Sequence, residues 1–141
     1  MIRLACDYQE GCHPKILERL VQTNLESTPG YGTDEYCQSA KEKIKAACCA
    51  PDSEVFLLIG GTQTNSTVIR SILRPCEGVI AVTSGHINGH EGGAIEMGGH
   101  KVLTITPHDG KMDARELDRF IVDTLTAPSW DHGVIPAMVY I

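Results

Sequence analysis

The sequence contains no apolar run near the roughly 18 residues that a membrane-spanning helix needs. It also lacks a basic stripe. Twelve Lys and Arg face eighteen Asp and Glu, leaving a net charge of −6 and a pI near 5.4. Binding to a phosphate backbone relies on clustered cations, so a nucleic-acid partner is not expected. The first seven residues, Met1 to Asp7, reach an acid too early and hold too short an apolar stretch for a signal peptide. A cytoplasmic setting follows as the expectation. There is no internal repeat and no low-complexity segment. None of the six cysteines forms a C-x-x-C pair, and Cys48 and Cys49 are adjacent. In a reducing compartment they are expected to pack as small apolar residues. Zinc sites usually show closely paired ligands, so no metal is expected.

The chemical motifs that are missing narrow the field further. The G-x-x-x-x-G-K-[ST] loop and the G-x-G-x-x-G fingerprint are both absent, which removes the two commonest nucleotide-binding readings. His90-Glu91 invites a metalloprotease reading, but H-E-x-x-H needs a histidine where Ala94 stands.

What is present fits one globular domain, or a piece of a larger one, of 141 residues and 15.3 kDa. Apolar residues make up 42% and charged residues 21%, which is enough apolar surface for a core. Pro14 opens a helix in which Ile16, Leu17, Leu20, Val21 and Leu25 recur at helical spacing. After a Pro-Gly loop, Thr33 is placed to cap a second helix with a stripe of Tyr36, Ala40, Ile44, Ala47 and Cys48. The pattern then changes. Val55 to Ile59 reads as a strand buried on both faces, and shorter strands are expected at 79–82, 102–105 and 137–141, with helices between them. Asp113 and Glu116 have capping-box spacing before the last helix. Strand and helix in alternation predict an α/β fold with a parallel sheet. Residues 1–53 form an N-terminal segment with two helices, and 54–141 an incomplete α/β domain. The last strand has no helix after it to cover it. The expectation is the front part of a longer protein, with a small complete domain as the alternative.

Two loops carry the chemistry. Gly60-Gly61-Thr62-Gln63-Thr64-Asn65 lies between an expected strand and an expected helix. Helix-start N–H groups are unpaired and partly positive, so they suit a phosphate, and glycines let the backbone come close. Taken by itself the loop also reads as a tight turn. Ser84 to Gly93 follows the next strand and brings His86 and Glu91 to the same end of the sheet. An imidazole and a carboxylate beside a phosphate site suit acid–base work on a phosphorylated cofactor. His13, His100, His108 and His132 are scattered and read as surface or capping residues.

In order along the chain, Asp7 to Pro14, Gly30 to Asp34, Gly60 to Asn65 and His86 to Glu96 resemble the N-terminal part of low-specificity threonine aldolases. These belong to the beta-eliminating lyase group of fold-type-I pyridoxal-phosphate enzymes. The resemblance implies part of the parallel-sheet major domain of such an enzyme. It also implies pyridoxal phosphate as cofactor and a threonine-like amino acid as substrate, cleaved to glycine and an aldehyde. Gly61 and Thr62 match the phosphate-binding pair. His86 matches the histidine stacked on the cofactor ring and implicated in deprotonating the substrate hydroxyl, and Glu91 a nearby carboxylate. Cys6, Asp7 and Tyr31 match substrate-binding positions. Tyr31 is the one directed toward a neighbouring subunit, so a homo-oligomer is implied. Cys6 stands where the family commonly has Ser or Asn, which are stronger hydrogen-bonding groups. The family's Schiff-base lysine, its ring-nitrogen aspartate and its substrate arginines match no residue here. Lys41, Lys43 and Lys45 share a solvated helix face, and Lys101 and Lys111 match no catalytic position. This stretch is therefore expected to be inactive alone. The alternatives are a non-catalytic fragment or another fold-type-I beta-eliminating lyase.

Overall fold

The computed structural model describes Cys6 and residues 8–141. They fall into two compact units, one ending at Leu57 and the other spanning Leu58–Ile141.

The first unit contains α1 (Pro14–Thr23) and α2 (Glu35–Ala47). Pro14 starts α1, and the His13 imidazole accepts the Lys15 N–H at 3.2 Å, relieving one unpaired donor of the first turn. The cap of α2 is Asp34, whose Oδ1 accepts from the Cys37 N–H at 2.9 Å. Thr33, expected in that role, instead donates its hydroxyl to the Gly30 carbonyl at 2.9 Å and closes the preceding turn. The carboxylate displaces the hydroxyl because it is the stronger acceptor for a helix-start N–H.

The second unit contains α3 (Gly61–Ile72), β1 (Glu77–Val82), α4 (His86–Gly89), α5 (Ala94–Met97), β2 (Val102–Ile105), α6 (Ala114–Thr126) and β3 (Ile135–Val139). The three strands form a parallel sheet in the order β2-β1-β3. The parallel α/β architecture predicted from strand–helix alternation is therefore present. β1 is central, and Val79, Ile80 and Ala81 are buried. Ile69 of α3, Leu73 at the carboxyl cap of that helix, Ile87 of α4 and Ile95 of α5 pack into the same core. Each of these isoleucines contributes about 1.5–3 kcal/mol by leaving water. α6 starts at Asp113, whose Oδ1 accepts from the N–H groups of Arg115 and Glu116 at 2.8 and 3.2 Å. This is the expected cap.

Three further expectations need correcting. Val55–Ile59 is not a strand. Phe56 is 79% and Ile59 97% exposed, and no described strand pairs with the run. A doubly buried strand needs neighbours on its edges, and the three-stranded sheet gives this run none. The last strand begins at Ile135, two residues before the expected start, which leaves Tyr140 and Ile141 beyond its carboxyl end. His100 is buried rather than superficial. Its Nδ1–H donates to the Glu77 carbonyl at 3.1 Å, a partner 23 residues away that local sequence does not reveal.

Candidate active site

β1 ends at Val82, and the chain turns sharply at Gly85 into α4. The Gly85 N–H bonds the Val82 carbonyl at 2.7 Å, and a Cβ at Gly85 would lie 2.9 Å from that same oxygen. Only glycine fits this turn without displacing backbone, and the turn makes His86 the first residue of α4. After α4 comes Glu91, then Gly92 and Gly93, both left-handed with φ of 60° and 74°. Glycines adopt that conformation at little cost, so the chain can reverse into α5 while the Glu91 side chain points inward.

The Glu91 side chain is 0% exposed, whereas that of His86 is 59% exposed. His86 Nδ1 and Glu91 Oε1 are 2.9 Å apart. The same oxygen accepts from Asn65 Nδ2 at 2.5 Å. Asn65 sits one turn into α3, and its amide also donates to the Tyr140 hydroxyl at 3.3 Å. Glu91 Oε2 is buried and has no partner among the described residues. A carboxylate oxygen that accepts from two sides needs the proton on the imidazole Nδ1, and in the neutral ring this leaves Nε2 as the acceptor. The His90 ring lies 5.6 Å from that of His86, tilted by 41°.

A cleft of about 650 Å³ opens at the carboxyl ends of β1 and β3, with Val82, Ser84, His86, Lys111 and Tyr140 among its walls. Open α/β sheets bind ligands at this end. The loop carrying Lys111 is fastened on both sides. Asp113 caps α6, and its carboxyl is held below the usual range by the backbone N–H groups of Arg115 and Glu116. His108 Nε2 meets Glu116 Oε1 at 2.9 Å, and that hydrogen bond raises the imidazole above its ordinary value.

The structure joins only some of the predicted site residues. His86 and Glu91 are bonded directly. Gly61 and Thr62 start α3 but are not on the wall of the cleft. Thr62 lines a separate groove of about 370 Å³ with Ser66 and Arg70 of α3 and Met97 of α5. Gly60 is extended and α3 has no side-chain cap. A Cβ built on Gly60 or Gly61 would meet nothing within 4 Å, so the backbone there is open to an anion. Cys6 is half-buried, and Tyr31 is fully exposed with φ of 61°. Asp7 lies outside the described residues. Asn65 and Tyr140 were not singled out from the sequence. Asn65 belongs to the Gly-Gly-Thr motif, but its partner Tyr140 is 75 residues away and carries no local signal.

The beta-eliminating lyase family matches residues 4–129. A low-specificity L-threonine aldolase of Pseudomonas sp. (strain NCIMB 10558) is 28% identical over 112 residues, covering 78% of this chain and 32% of that protein. The low-specificity L-threonine aldolase of Pseudomonas aeruginosa is 26% identical over the same shares. A solved structure of threonine aldolase from Leishmania major matches with a TM-score of 0.88 at 41% identity, covering 95% of this chain and 38% of that one. The chain thus spans about a third of the length of the curated relatives it matches.

Proposed function

The chain belongs to the beta-eliminating lyase family, and from that premise we propose that it forms the cofactor-facing part of a pyridoxal-phosphate-dependent aldolase. The substrate would be threonine or allo-threonine, and the products glycine and acetaldehyde. The observation that carries this reading is the buried Glu91 carboxylate bonded to the exposed His86 imidazole at the carboxyl end of β1.

The open start of α3 fits the phosphate of such a cofactor. Its N–H groups have no side-chain cap, and the glycines leave the approach clear. Gly61 and Thr62 would hold that phosphate. Pyridoxal phosphate, when bound, supplies the sink for the electron pair released as the Cα–Cβ bond of the substrate breaks. The chain's own contribution is the proton. With Nδ1–H committed to Glu91, His86 Nε2 takes the β-hydroxyl proton as the aldehyde carbonyl forms. Glu91 fixes the tautomer and faces the positive charge that develops on the ring. Cys6, Asp7 and Tyr31 are proposed to complete the substrate side, with Tyr31 directed toward a second copy in a homo-oligomer. The lysine that holds the cofactor covalently in the family matches no residue of this stretch. By itself the stretch is therefore proposed to bind phosphate without releasing acetaldehyde.

Calorimetry with pyridoxal phosphate against pyridoxal tests the proposal. Phosphate-dependent binding at roughly 0.1–1 mM is expected. Equal affinity for the two ligands would reduce the α3 start to a turn and leave the family without its cofactor site here. A stoichiometric borohydride-reducible adduct on one lysine would show instead that this stretch carries its own anchor.

A further inference from the structure

The Asn65 amide donates to two groups at once: Glu91 Oε1 at 2.5 Å and the Tyr140 hydroxyl at 3.3 Å. We infer that Asn65 is a positioning residue, holding Glu91 in the rotamer that keeps the His86 imidazole in its Nδ1–H tautomer with Nε2 as the acceptor. This rests on the lyase reading above and adds to it a residue that acts without touching substrate.

Glu91 leaves Oε2 buried without a partner while Oε1 takes two donors. An unpaired buried carboxylate oxygen is costly, so the side chain gains by leaving this rotamer for one that pairs or hydrates both oxygens unless something opposes it. Two bonds oppose rotation. The one from His86 comes from a ring that is itself more than half exposed. The one from Asn65 comes from a half-buried residue on α3, whose core side Ile69 is buried four residues on. The fixed partner is therefore Asn65. Tyr140 takes the second N–H of that amide and ties it on its far side, and turning the amide over would set its oxygen against Glu91 Oε1. Tyr140 is in turn anchored by its backbone, because its N–H donates to the Ile80 carbonyl of central β1 at 2.8 Å. The order of control runs from sheet to Tyr140, to Asn65, to Glu91, to His86.

The test is nitrogen-15 and proton NMR on the 141-residue chain without cofactor, in a background carrying Leu17→Lys, Leu20→Glu and Ile59→Lys to limit self-association through exposed apolar side chains, comparing Asn65 and Tyr140 as wild type with Asn65→Leu and Tyr140→Phe. In the wild type, His86 should show a single Nδ1–H tautomer with a slowly exchanging ring proton. One Asn65 amide proton should lie close to the Tyr140 ring. Asn65→Leu keeps the volume and removes the donor. It should mix the tautomers and speed exchange of the Nδ1 proton roughly tenfold or more, the scale of one hydrogen bond to a charged group. Ile87 and Ile95 amides report an intact core. Tyr140→Phe should give the same change in smaller measure. An unchanged His86 signal in Asn65→Leu would overturn the inference. Should Asn65→Leu fail to fold, wild-type Asn65 amide protons that exchange like those of a free side chain would overturn it, and protected ones would uphold it. None of these readouts involves the cofactor, so a failed calorimetric test of the lyase reading would not be mistaken for a failure here.

Discussion

At the scale of single residues, burial and exposure divide the labour between Glu91 and His86. The carboxylate is sealed and held, and the imidazole is presented to the cleft. Replacing His86 should therefore cost chemistry and little stability. In a chain carrying the segments that the longer relatives have downstream, His86→Asn is expected to lower acetaldehyde release by roughly 10²–10⁴-fold, the usual worth of a positioned acid or base. Its melting midpoint should stay near wild type, since the Asn amide can place an N–H close to the position of the imidazole Nδ1–H and keep a donor on buried Glu91. A coupled aldehyde assay beside a thermal melt separates the two effects. An active His86→Asn would remove the imidazole from the proposed proton transfer. Of this site, the sequence revealed the two titrating groups, because an imidazole and a carboxylate in one Gly-rich loop are locally visible. It did not reveal Asn65 and Tyr140 as partners. That pairing exists only once β3 is laid beside β1, and the two residues are 75 positions apart.

At the scale of elements, β1 governs the unit, and Gly78 is where its neighbours crowd it. A Cβ there would come within 2.7 Å of Val134 Cγ1 and 2.8 Å of the Lys101 carbonyl oxygen. The pairing of β1 with β3 also slips at Gly78/Val79, where Pro136 opposes Gly78. Proline has no N–H to give to the ladder. Gly78→Ala must displace backbone and is expected to cost about 1–3 kcal/mol, read as a lower urea midpoint. A neutral result would mean that the β1–β3 irregularity absorbs a methyl group. The strands β1 and β2 were legible because short apolar runs between turn residues have few other readings. Val55–Ile59 carried the same signal and is no strand, since a run's apolarity records what it can bury against, not whether a partner strand is at hand. Ionised contacts at element ends set the pH response. Glu77 lies below the ordinary carboxylate range, first through the Arg74 backbone N–H and then through its side chain, and Asp113 is lowered likewise. Such groups stabilise above their unfolded values, and that stability is lost as pH falls through the lowered folded ones. His108 is raised by Glu116, so its contribution is complete below the ordinary imidazole value and is lost as pH rises through the raised one. Stability should therefore peak between the carboxylate and imidazole ranges. Glu116→Gln keeps the capping geometry of α6 and should flatten the alkaline limb. Melts taken from about pH 4 to about pH 9 would show it, and an alkaline limb unchanged by the substitution would disconnect His108 from it.

At the scale of the whole molecule, several large apolar side chains are left exposed. α1 has no buried residue, and Ile16, Leu17, Leu20 and Val21 are all exposed. Phe56, Leu57 and Ile59 add a second apolar stretch, and Ile141 a third. The helix period in α1 is strong, so its stripe was readable in the sequence, and a stripe of that kind forms to be covered. Each exposed CH₂ forgoes about 0.8 kcal/mol, so a few uncovered aliphatic side chains amount to much of a small domain's marginal stability. Contiguous exposed apolar side chains favour association. The 141-residue chain is therefore expected to self-associate at micromolar concentration and to melt with a midpoint that depends on concentration. Leu17→Lys with Leu20→Glu should reduce association through α1 without touching the core of the sheet unit, and Ile59→Lys should do so through the second stretch. Light scattering on each variant, together with melts at several concentrations, would assign the contacts. A monodisperse monomer with a sharp, concentration-independent melt would overturn the expected association.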